Sequence, residues 1–183
     1  VRYARYKPKP IFISIDSKET LMRYVDDHAV DYIPYVHGFD MKEPDWLVID
    51  LDAGDELKSR EEGFLAIKFV AKEISNFLEE NEVLPAVKFS GSRGVQVWAA
   101  LDNAKLPKGD PFAAYRSLIQ KIQKKIEDRI STAQVPAEIK HLVERGLTTS
   151  SVAKKEERSM KVLIDWSSMK PYGDVRAPFS LHY

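Results

Sequence analysis

The chain has 183 residues, 44% of them hydrophobic, and its 28 basic and 28 acidic side chains cancel to zero net charge. That length and apolar content suit one compact domain over residues 1–183, and the balance excludes a binder driven by bulk positive charge while leaving room for a local basic patch. The absence of cysteine excludes disulfides, thiolate zinc sites and a cysteine nucleophile and fits a cytoplasmic setting, and no apolar run approaches the roughly 20 residues of a membrane span.

Residues 1–10 form a basic arm carrying Arg2, Arg5, Lys7 and Lys9 without an acid. No apolar segment follows it, so it is not a secretory signal. The missing initiator Met and the abrupt stop at Tyr183 suggest a piece of a longer chain. Ile11 to Ile15 is β-branched and aromatic and is expected to be a strand. Ser17 opens a short helix to about Ala29. Tyr32 to His37 is a second strand candidate, placed at an edge by Pro34.

Trp46-Leu47-Val48-Ile49 is a continuous apolar run, the mark of a central strand buried on both faces. Glu61 to Glu80 is a helix with Phe64, Ile67, Val70, Ala71, Ile74, Phe77 and Leu78 at spacings of three and four. Ala86–Ser90 and Val95–Leu101 are strands joined by a glycine-rich turn. Pro111 to Ile130 is a second long helix, with Leu118, Ile119, Ile122, Ile126 and Ile130 on one face. A shorter helix spans 136–146 and ends at Gly146. Leu147 to Glu157 reads as loop, and Lys161 to Ile164 as a last buried strand. Strands in pairs between helices predict an α+β or α/β fold with a mixed sheet rather than a simple doubly wound one.

Three features carry chemistry. In Leu47-Val48-Ile49-Asp50-Leu51-Asp52, positions i and i+2 of a strand share a face, which sets Asp50 beside Asp52. Two close carboxylates repel unless a cation lies between them or one takes a proton, and Mg²⁺ or Mn²⁺ is the cation that oxygen ligands favour. Solvated acids leading into the turn at Ala53-Gly54 are the plainer alternative. Second, Ser90-Gly91-Ser92-Arg93-Gly94 lets backbone N–H groups approach an anion, with Arg93 adding charge; an ordinary hairpin turn is the alternative. Third, Val162-Leu163-Ile164-Asp165 delivers another acid at a strand end, either capping Ser167-Ser168 or completing three carboxylates. Three acids suit a two-metal site for displacement at phosphorus. Basic residues also gather at Lys154, Lys155, Arg158 and Lys161, just before Asp165. Arg116, Lys121, Lys124, Lys125 and Arg129 are interspersed with acids and read as a solvated helix face. His28, His37 and His141 show no metal-ligand spacing and read as surface or structural.

A strand ending D-x-D, then S-G-x-x-G, then a strand ending h-D-W resembles the archaeo-eukaryotic primase superfamily. The nearer likeness is to the polymerase domain of end-joining repair ligases and its stand-alone archaeal relatives. Lys88 to Gly94, Arg158 with Asp165 seven residues on, and Arg176-Ala177-Pro178-Phe179-Ser180-Leu181-His182 sit at matching positions. The likeness covers most of the chain from about residue 40.

The resemblance implies template-dependent addition of nucleotides to DNA ends, gaps or primers, for DNA repair and end joining, with a DNA ligase or end-binding protein as a further partner. It implies Asp50, Asp52 and Asp165 as catalytic metal ligands, and Mg²⁺ or Mn²⁺ with a nucleoside triphosphate as cofactor and substrate. Ser90, Arg93 and Arg158 match positions that hold the triphosphate, and His182 falls where relatives place a basic residue near the nucleotide. DNA contacts are expected from the basic arm and from Lys154 and Lys155. The implied fold is an RRM-like catalytic sheet flanked by helices and a second small α/β lobe.

The family motif reads S-G-x-x-G-x-H, and its His contacts the triphosphate; Gln96 stands at that position here. An amide donates a hydrogen bond but cannot become cationic, so weaker triphosphate binding is expected. The lack of cysteine removes the thiolate zinc knob common in replicative primases and favours the repair-type branch. The competing readings are a catalytically weakened nucleic-acid-binding relative and a haloacid-dehalogenase-type phosphatase. The latter is disfavoured by Gly54, where such enzymes carry Thr or Val.

Overall fold

The computed structural model describes residues 2–3, 11–38, 43–90, 94–102, 109–178 and 180, with only the backbone path given for 2–3 and 11–12. Its centre is a five-stranded sheet in the order β4-β5-β3-β7-β6. The strands are β3 (Trp46–Ala53), β4 (Pro85–Phe89), β5 (Val95–Ala100), β6 (Thr148–Ser150) and β7 (Val162–Asp165). The pairs β4/β5, β5/β3 and β3/β7 are antiparallel, and β6 joins β7 in parallel at the far edge. Helices α3 (Glu62–Glu80) and α4 (Pro111–Thr132) cross between strands. Without β6, the connectivity is strand-helix-strand-strand-helix-strand, the RRM-like arrangement.

The sheet has two unlike faces. Leu47, Ile49, Leu51 and Ala53 of β3 point into the main core with Ile67, Val70 and Ile74 of α3 and Ile119, Ile122 and Ile126 of α4. Each fully buried aliphatic side chain here contributes about 1.5–3 kcal/mol. On the opposite face Val48 meets Val36, Phe112 and Val175 in a smaller buried cluster. The run in β3 is therefore buried on both faces at Val48, and beyond it one face opens at Asp50 and Asp52.

Local chemistry sets the helix ends. Asp110 accepts the Ala113 N–H ahead of Pro111 and starts α4, and Ser17 accepts the Thr20 N–H and starts α1 (Lys18–Asp26). Phe64 and Leu118, expected on the buried faces, are 39% and 41% exposed.

Several expectations change. The strand expected over Ile11–Ile15 is the two-residue β2 (Ile11–Phe12), paired with β1 (Arg2–Tyr3). Tyr32–His37 holds a single bridge, Tyr35 to Asp174, and is tied instead to the C-terminal segment by Val36 N–H to Gly173 O and Ala177 N–H to Tyr32 O. Pro34 has no N–H to give a regular ladder. The segment 136–146 is a 3₁₀ turn (Ala137–Ile139) and a one-turn helix α5 (Lys140–Val143), closed by Gly146 at φ 78°. The expected loop over 147–157 contains β6 and the start of α6 (Lys155–Arg158). β6 is legible only through its parallel partner, since Thr148 and Thr149 are polar yet buried. The one-turn α2 (Asp55–Lys58) follows β3. No helix among the described residues is long and apolar enough to cross a membrane.

Candidate active site

Strand register assembles the site. Asp50 pairs with Gln96 on one side and with Asp165 on the other, and Gln96 pairs in turn with Lys88. Residues directly opposed across strands have their Cβ atoms about 4.5–5.5 Å apart on one face. Lys88, Gln96, Asp50 and Asp165 therefore form one row across four strands. Asp52 lies two residues along β3 on the same face.

Asp50 is the electrostatic centre of this row. Burial pushes its carboxyl up to about 6, and the neighbouring Asp165 and Asp52 charges act in the same direction. A hydrogen bond from Gln96 and the Lys88 charge oppose the rise. Burial in turn lowers Lys88, against the attraction of Asp50.

Lys88 Nζ donates to Gln96 Oε1 at 2.9 Å, and Trp98 Nε1 donates to the same oxygen at 3.2 Å. Two donors on Oε1 fix the amide's orientation and leave its NH₂ for the Asp50 carboxylate. Lys88 also donates to the Arg176 backbone carbonyl, and Arg176 forks onto Asp31 at 2.7 and 2.9 Å. The row is thus anchored to the C-terminal segment. Lys88 and Arg176 stand in the segments at matching positions but carry no role in the sequence reading, and Asp31 is not singled out there. Lys88 was within reach, since it lies two residues before Ser90 on the same strand face, whereas nothing local links Asp31 to Arg176.

The carboxylates of Asp52 and Asp165 turn to backbone partners. Asp52 Oδ1 accepts the Ala53 N–H at 2.8 Å, with Lys58 Nζ 4.0 Å from Oδ2. Asp165 Oδ1 accepts the Ser167 N–H at 2.7 Å. As these side chains stand, no group of three or more His, Asp or Glu among the described residues is set to hold a metal. The donor set nevertheless suits a hard divalent cation: three carboxylates share one face, and burial, then the neighbouring acids, raise the central one.

Ser90, just past β4, is tied to Gly94. Its Oγ accepts the Gly94 N–H at 3.1 Å, and its own N–H donates to Gly94 O at 2.9 Å. A Cβ on Gly94 would stand 2.9 Å from both Leu51 O and Ser90 Oγ, so only glycine fits there without displacement. Arg93 lies outside the described residues, as do Arg5, Lys7, Lys9 and His182; Arg2 is described only in its backbone.

Arg158 ends α6 and donates from Nη1 to Ser151 O at 2.7 Å, while its buried Nε has no hydrogen-bond partner. Its carbonyl is packed against β3's exit, where a Cβ on Gly54 would fall 1.8 Å from Arg158 O. Gly54 N–H also donates to Lys161 O at 2.9 Å. The Asp52 end of β3 and the α6–β7 turn are therefore one rigid junction. Lys154 and Lys155 are exposed at the start of α6. His37 is structural: its ring stacks on Tyr35 at 5.1 Å and Nε2 accepts the Tyr172 N–H.

Among solved structures, the chain is similar to a polymerase domain from Mycobacterium tuberculosis ligase D determined in complex with DNA. The TM-score is 0.61 and the identity 21%, and the match covers all of this chain and 58% of that one. Comparison with curated proteins finds no match. The family model for the LigD primase-polymerase domain matches residues 4–182. The chain belongs to the LigD primase-polymerase domain family.

Proposed function

We propose that this domain adds nucleotides from nucleoside triphosphates to a DNA end or primer, with Asp50, Asp52 and Asp165 holding divalent metal ions. The observation that carries the reading is the alignment of Asp165 with Asp50 across β3 and β7, with Asp52 two residues on, in a chain of this family.

Asp50, Asp52 and Asp165 would ligate Mg²⁺ or Mn²⁺, which supplies Lewis-acid activation of a 3′-hydroxyl and neutralises charge at the phosphates. Gln96 keeps an N–H on Asp50 and favours its ionised form. Ser90 would help to hold the triphosphate, and Arg93 and Arg158 would clamp its tail. Gln96 replaces a potential cation by a neutral amide whose oxygen is already engaged, which favours weaker triphosphate binding. The basic arm, Lys154 and Lys155 would meet the DNA backbone, so binding is salt-dependent. A ligase or end-binding protein is the partner such an activity would serve.

Primer extension with Mg²⁺ or Mn²⁺ tests the reading: the parent extends, and Asp50→Ala combined with Asp165→Ala does not. Equal extension by both sinks it.

A further inference from the structure

Beyond the acidic row, the same face of the sheet carries an aromatic pair. Trp98 lies across from Val48, the residue two before Asp50, and Trp46 lies two residues before Val48. Their rings meet edge to face at 5.8 Å between centroids. Lys88 Nζ sits 5.6 Å from the Trp98 ring centroid, so Trp98 is held between Lys88 and Trp46. Trp46 is 40% exposed, large for an indole that packs beside a catalytic face. The pair walls a hollow of about 650 Å³ that runs from Ser90 along β4 to Pro34 and Pro178. A second hollow of about 960 Å³ continues past the same two rings and Ala86 toward Leu84, Lys121 and Lys125.

The polar side chains lining the first hollow are largely engaged elsewhere. Trp98 Nε1 and Lys88 Nζ are on Gln96, Arg176 is on Asp31, and Ser180 Oγ bonds the Tyr32 backbone. What remains is an apolar, aromatic surface with few groups to read the edge of a ligand. Such a surface recognises a flat π-face of any identity.

Stacking of one base contributes about 1–3 kcal/mol, while even millimolar affinity needs about 4 kcal/mol. The occupant must therefore be tethered by other contacts. A base of the incoming nucleotide has to present its edge to a template, which a box of this kind would prevent. A strand held elsewhere by its backbone meets both conditions, and the two hollows share Trp46, Ala86 and Trp98 in their linings.

We infer that the Trp46–Trp98 pair is a stacking platform for an unpaired base of the nucleic-acid strand next to the reacting end, bound without regard to sequence. The inference rests on the nucleic-acid-directed reading above. Glu82 and Asp102 line the second hollow with Lys121 and Lys125, so local charges offset and this contact adds little to the salt dependence.

The test is equilibrium binding, by fluorescence anisotropy, of a labelled duplex with a single-stranded overhang. Blunt duplex and a duplex whose overhang is abasic serve as controls, with parent, Trp46→Ala and Trp46→Phe proteins. Trp46→Ala is expected to weaken the overhang duplex about tenfold, within the range that one lost stack allows. Trp46→Phe keeps most of the affinity, and the abasic and blunt duplexes bind all three proteins alike. Equal weakening on abasic and normal overhangs, no weakening, or no overhang binding by the parent overturns the inference. So does quenching of tryptophan fluorescence by free nucleoside triphosphate that Trp46→Ala abolishes, because the platform then serves the nucleotide. Primer extension on the same duplexes separates the two readings. Base-dependent binding without extension removes only the polymerase reading, and extension without base-dependent binding removes only the platform.

Discussion

Asp50 and Asp165 face each other directly across the antiparallel pair β3/β7. A third carboxylate, Asp52, shares their face. The arrangement is unfavourable for an empty fold: the Asp50 carboxyl is pushed up to about 6 by burial, then by its acidic neighbours.

The sign of the pH effect follows. The folded state holds the Asp50 proton more tightly than an unfolded carboxylate near 3.8 does. Stability is full below that value, falls as pH rises toward about 6, and stays reduced above it. Asp50→Asn removes the penalty. Denaturant unfolding should show the variant more stable than the parent at pH 7.5, by up to roughly 3 kcal/mol, with no such gain at pH 3.5. Added Mg²⁺ or Mn²⁺ should stabilise the parent and not the variant.

Gln96→Leu removes the acceptor shared by Lys88 and Trp98, which leaves the part-buried Trp98 indole N–H unmatched and Lys88 with the Arg176 carbonyl as its acceptor. A loss of about 2–3 kcal/mol in unfolding free energy is expected. Gln96→His would leave the fold standing and should lower the KM for the triphosphate if the amide is what weakens that contact.

Gly54→Ala places a methyl group on the Arg158 carbonyl. The junction of β3 with the α6–β7 turn must shift, at a cost of at least about 2 kcal/mol. Thermal melts should fall accordingly, and extension should fall further than stability alone explains, because Asp52 and Arg158 move together.

Arg158→Met removes a guanidinium held by Ser151 O. Steady-state extension should show KM for the triphosphate raised about tenfold or more with kcat changed less, the pattern of lost ground-state binding. An unchanged KM would take Arg158 out of the triphosphate site.

Much of this was legible in the sequence because the signals were local. The apolar run into Asp50, the alternation that pairs it with Asp52, and the spacing of three and four in α3 and α4 each report a strand or a helix from neighbouring residues. Asp165 was readable as a strand-end acid, but its register opposite Asp50 depends on a long-range pairing. β6 was missed because its threonines are polar and its burial comes from β7 and from Glu127 and Glu157, which bond Thr148 and Thr149. Arg129, on the helix face read as solvated, forks onto Glu80 with Glu73 3.7 Å away, a partnering that no local signal announces. The Lys88–Gln96–Asp50 chain and the Arg176–Asp31 clamp join residues far apart in sequence, and only the folded sheet brings them together.

The most direct test is a crystal structure of the domain with Mn²⁺ and a non-hydrolysable nucleoside triphosphate. Asp52 is expected to leave the Ala53 N–H and Asp165 the Ser167 N–H, and both should turn with Asp50 onto manganese that also touches the triphosphate. Manganese bound elsewhere, or carboxylates that keep their backbone partners with the nucleotide in place, would contradict the account.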